Sequence, residues 1–78
     1  PLIAQSYKLK IDVNFEIVEY YARNNTMEKA VPYLEKIVEA KKQLVEVNSR
    51  LREPLKLNEK NLEKVEVASK ALEMIKAE

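Results

Sequence analysis

Mostly apolar side chains recur at alternating three- and four-residue intervals along three stretches of this chain. The first row is Ala4, Tyr7, Ile11, Asn14, Val18 and Tyr21; the second is Ala30, Tyr33, Ile37, Ala40, Leu44, Val47 and Leu51; the third is Asn61, Val65, Ala68, Leu72 and Ile75. A mean spacing of about 3.5 residues puts each row on one seam of a helix, and such seams are stable when buried against one another. The pattern predicts an all-α, up-down-up three-helix bundle with heptad-like seams, its helices covering about residues 2–24, 31–52 and 58–77 of a single domain spanning 1–78. Antiparallel layering then sets Ile11 with Leu44 and Val65, Val18 with Ile37 and Leu72, and Tyr7 with Val47 and Asn61. One layer sets Asn14 between Ala40 and Ala68, where its amide either pins the register or turns towards solvent.

Punctuation between the helices comes from Asn, Thr and Pro, because the chain has no glycine. Asn24, Asn25 and Thr26 interrupt the first period, and Asn tolerates the left-handed backbone that ends a helix when Gly is absent. Thr26 opens a short turn through Ala30, and Pro32, lacking an amide hydrogen, fits the first turn of a second helix. Pro54 blocks continuation past about Arg52. Asn58 is a favourable N-cap for the third helix, with Leu57 and Leu62 at the positions of a hydrophobic staple.

The first segment carries a competing signal. Tyr7, Leu9, Ile11 and Val13 alternate with Lys8, Lys10 and Asp12, the period-two pattern of a half-buried strand. A lone strand would need a second molecule, so the alternative is an N-terminal strand followed by helices in a ribbon-type dimer. A helix needs no such help and makes the three elements nearly equal in length.

Composition narrows the function classes. The 78 residues are 46% hydrophobic and 35% charged, with a net charge of +1; this suits a folded chain and supplies no global field for nucleic acid or acidic lipid. Cys and His are both absent, which excludes Ser-His and Cys-His nucleophilic catalysis, thiolate metal sites and a disulfide framework. Phosphate-cradling loops need glycine, and the glutamates fall mostly outside the seams, so no cofactor and no metal are expected. No apolar run reaches membrane-spanning length, and the reading is cytoplasmic. Lysine and glutamate dominate while Cys, His, Trp and Gly are missing, a bias seen in proteins from hot environments. The opening Pro1-Leu2-Ile3-Ala4-Gln5 resembles the start of oxalocrotonate-type tautomerases, in which an N-terminal proline amine is the general base. That resemblance covers five residues and implies a β-α-β unit with a glycine-containing hairpin, which long heptad helices do not supply. The chain is therefore read as no enzyme.

What remains is apolar surface beyond the seams. Leu2, Leu9, Val13 and Tyr20 fall within about 40° of each other on the side of the first helix opposite its seam. Val31, Leu34, Val38 and Val45 form a second stripe on the second helix, and Val67 and Met74 a smaller one on the third. Wide bundle cores absorb side chains such as Leu34 and Phe15; the far side of the first helix is beyond their reach. Leu2, Leu9, Val13, Tyr20, Val31, Val38 and Val45 are accordingly the expected partner-binding residues of a non-enzymatic protein-protein interaction, accessory or oligomerisation module. The partner is either a further copy of the chain or a larger protein. The alternative is a small nucleic-acid-binding protein, or an accessory subunit of a nucleic-acid enzyme, contacting phosphates through Lys8, Arg50, Arg52, Lys56 and Lys60 at one end of the bundle.

Overall fold

The computed structural model describes residues 2–52 and 57–77. Three helices pack against one another, α1 (Leu2–Arg23), α2 (Val31–Leu51) and α3 (Glu59–Ala77), with a single 3-10 turn at Met27–Ala30 between the first two. Residues 7–13 are helical throughout, and no strand occurs among the described residues, so the ribbon alternative is overturned. Physically, the helix lets Tyr7, Ile11 and Val18 share one face, whereas a strand would have divided the alternating residues between two faces with nothing in this chain to pair its edge.

Each helix stops where its chemistry dictates. Asn25 takes φ 55°, and around it the Thr26 amide donates to the Tyr21 carbonyl at 2.9 Å and the Asn25 amide to the Ala22 carbonyl at 3.2 Å. These two bonds make a Schellman end built on asparagine instead of glycine. Pro32 sits in the first turn of α2, where an amide hydrogen would have no helical partner. At the other end of α2, Arg52 adopts φ 56°, ψ 37° and donates its backbone N–H to the carbonyls of Asn48 and Ser49, a left-handed position held by a residue with a Cβ. Asn58 caps α3: its Oδ1 accepts from the Asn61 amide at 2.9 Å, and Asn61 Oδ1 accepts in turn from the Asn58 amide at 3.3 Å. The pair is a capping box with Asn where Glu or Gln usually stands.

The seams close into one core. Ile11, Leu34, Ile37 and Leu44 are fully buried, with Val18, Ala30, Ala40, Val65, Ala68 and Leu72 around them. Tyr21 stacks on Tyr33 with ring centroids 5.9 Å apart, tying the end of α1 to the start of α2, so those two helices run antiparallel. Lys76 pairs with Glu35 at 3.6 Å, placing the end of α3 beside the start of α2; α3 therefore runs parallel to α1.

Three expectations are corrected. Leu34 is fully buried, as a wide core allows, but Val31 and Val38, expected at the partner surface, are half-buried and pack against the core as well, because α3 approaches α2 from that side and widens its buried arc. Leu51 belongs to the second row by spacing but is 56% exposed, since α2 ends there. Asn61, 3% exposed, is a buried interhelical amide, while Asn14 takes the solvent-side alternative, its Nδ2 donating to the Lys10 carbonyl of its own helix at 2.7 Å. Finally, the layering set Asn61 beside Tyr7, whereas its Nδ2 donates to Asp12 Oδ1 at 3.1 Å, roughly one and a half turns further along α1.

Candidate interaction surface

Helix α1 turns one face to the core through Ile11 and Val18 and leaves the opposite face to solvent. On it Leu9 is 63%, Val13 46% and Tyr20 56% exposed. Leu2 lies in α1, but its side chain is outside the described residues. Ser6, Leu9, Lys10, Val13 and Asn14 border a shallow groove of about 260 Å³ along this face. Glu16 stands between Val13 and Tyr20 on the edge of the same stripe, exposed and outside every ion pair among the described residues.

The expected stripe on α2 opens elsewhere. Val38 and Val45 line a groove between α2 and α3, about 450 Å³ in volume, with Lys41 between them and Val65 and Ser69 across from them. An adjoining space of about 370 Å³ shares Lys41, Val65 and Ser69 and adds Leu62. Val45 is 44% and Leu62 39% exposed. Lys41 is half-buried and has no carboxylate within ion-pairing distance among the described residues. The two stripes named from sequence therefore do not form one site: α1 occupies the inner side of the α2–α3 pair, and this groove faces the other way. The third stripe, Val67 at 51% and Met74 at 72% exposure, lies on α3.

Between α1 and α2, Lys10, Asn14, Lys36, Glu39, Ala40 and Gln43 border a space of about 320 Å³. Lys10 lies over the Tyr7 ring at 5.7 Å and Lys36 over the Tyr33 ring at 5.3 Å, so both ammonium groups cover core aromatics. The α1–α3 side is closed by Asp12, which accepts from Lys64 at 2.9 Å as well as from Asn61, while Lys64 lies 5.7 Å from the Phe15 ring.

The basic residues share one end by topology. Arg50 and Arg52 end α2, Lys60 starts α3, and all three are exposed; Lys8, on the second turn of α1, is half-buried, and Lys56 lies outside the described residues. No group of acidic residues suited to a metal ion occurs among the described residues, and no helix is long and apolar enough to cross a membrane.

The spacing named the α1 stripe and the valines of α2; Glu16, on the edge of the α1 stripe, Lys41, in the α2–α3 groove, and Leu62, in the adjoining space, were not among the surface residues it named. The available signal was a repeated spacing. Val13, Glu16 and Tyr20 stand at three and four residues, and so do Val38, Lys41 and Val45; each places one charge in an apolar line at the same angle from its neighbours. No protein family, curated protein or solved structure matches this chain.

Proposed function

We propose that this chain is a non-enzymatic helical interaction and oligomerisation module whose partner surface is the outer face of α1. The observation that carries the proposal is the contrast across that one helix. Ile11 is 0% and Val18 4% exposed, while Leu9, Val13 and Tyr20 are each about half exposed or more. The core already has its share of α1, so beyond the edge-to-face contact of Tyr20 with Tyr21 the outer stripe adds little to packing within the chain. Burying the exposed half of each of these three side chains is worth on the order of 1 kcal/mol apiece, a contribution to partner binding that other contacts must add to against association costs.

The test is the double variant Leu9→Lys with Val13→Glu. Association, read as mass in solution over a range of concentrations, should be lost while helical content and monomer stability stay nearly unchanged. If the monomer unfolds, the two residues belong to the core and the proposal fails. If the variant stays folded and associates as the parent does, the stripe is not the partner surface.

A second reading, phosphate contact by a small nucleic-acid-binding protein, is favoured by Arg50, Arg52 and Lys60 being exposed at one end of the bundle with no acidic partner among the described residues. It requires affinity for a DNA or RNA duplex that falls steeply with salt, which apolar association does not.

A further inference from the structure

The geometry points to the occupant of the α1 stripe: we infer that it is the α2–α3 groove of a second copy of this chain, with Glu16 of one copy paired to Lys41 of the next. The inference rests on the interaction-module reading and specifies its partner.

Both halves of such a contact are on the same molecule. The convex half is the exposed line through Val13, Glu16 and Tyr20. The concave half is the groove in which Val38, Lys41 and Val45 face Val65. In each, a charge, Glu16 or Lys41, stands three residues after one apolar side chain and four before the next, so the two lines match in spacing; the groove also carries Lys42 and Glu46, which leaves it net positive towards Glu16. The charges are opposite, and neither has an ion-pair partner of its own among the described residues. A carboxylate brought between valines by an apolar helix would meet the ammonium there, and the pair would be shielded by the side chains around it.

Size is also appropriate. The molecule measures 40 × 22 × 19 Å, long enough for a neighbour's helix to lie along it. A helix laid in the groove between two others completes a four-helix arrangement. In this chain α1 already fills the inner groove of α2 and α3, and the α1 of a neighbour would fill the outer one.

Symmetry follows from placement. The stripe and the groove lie on opposite sides of the bundle, so one copy cannot give and receive with the same neighbour. The contact is heterologous and propagates into a ring or an open series instead of closing as a dimer.

The experiment is charge reversal on the full chain, read by sedimentation across concentration, with circular dichroism confirming the fold. The parent should pass beyond dimer as concentration rises. Glu16→Lys alone and Lys41→Glu alone should each weaken association at least about tenfold, and the two reversals together should restore it. Glu16→Gln and Lys41→Gln, which keep size and remove charge, give the same ranking more mildly and cover the case in which a reversal disturbs folding. A parent that is monomeric throughout, or that stops at a dimer, overturns the inference. So does association that the reversals leave unchanged; if Leu9→Lys with Val13→Glu still abolishes it, the module reading stands and the groove is the wrong occupant.

Discussion

Asn61 and Asp12, 49 residues apart in the chain, are joined by a hydrogen bond from Nδ2 to Oδ1 at 3.1 Å. The same Asn61 closes the capping box with Asn58, so one buried amide both starts α3 and fixes where it meets α1. Lys64 brings a second donor to Asp12 Oδ1 from one turn later, and no buried side-chain nitrogen or oxygen among the described residues lacks a hydrogen-bond partner.

Asn61→Leu should therefore cost about 1 to 3 kcal/mol, because it removes the acceptor of the Asn58 amide and leaves Asp12 with one donor fewer. A urea titration reads this as a lower midpoint at unchanged slope. Asp12→Ala should couple to it by at least about 0.5 kcal/mol in a double-mutant cycle. Strict additivity would show that the bond is incidental.

Asn14→Leu is the control. Its amide bonds within its own helix at the surface, so the change should stay within about 0.5 kcal/mol of the parent. A loss as large as that of Asn61→Leu would mean that Asn14 serves the core after all.

Leu44 and Leu51 stand seven residues apart in the same row but differ in burial, 0% against 56%. Leu44→Ala should cost about 2 to 5 kcal/mol, enough to unfold a small marginal domain. Leu51→Ala should be nearly silent, within about 0.5 kcal/mol. Thermal melts followed by circular dichroism separate the two, and equal losses would place Leu51 in the core.

Arg52 holds a left-handed backbone, φ 56°, that costs a residue with a Cβ about 1 to 2 kcal/mol relative to its right-handed form. Arg52→Gly should relieve part of that and raise the melting temperature by a few degrees, on the scale of about 4 to 8 °C per kcal/mol for a domain of this size. The unfolded-state entropy of glycine works against the gain, so an unchanged or lower melting temperature would show that the strain is small.

Spacing along the chain was enough to locate three helices, their turns and nearly all of the core, because a helix seam is a local property: residues three and four apart share a face whatever surrounds them. The same logic exposed the outer side of α1, which is simply the far side of a seam. The N-cap at Asn58 was equally legible, since capping uses atoms within four residues. Which neighbour lies beside which face is not local. Leu34 and Leu9 each stand off their helix's seam, yet Leu34 is fully buried while Leu9 faces solvent. Asn14 and Asn61 both occupy seam positions, and the one that became the interhelical bond is the one that packing brought to a carboxylate. The groove holding Lys41 belongs to two helices at once, so it came into being when α2 and α3 packed together and had no counterpart in either segment alone.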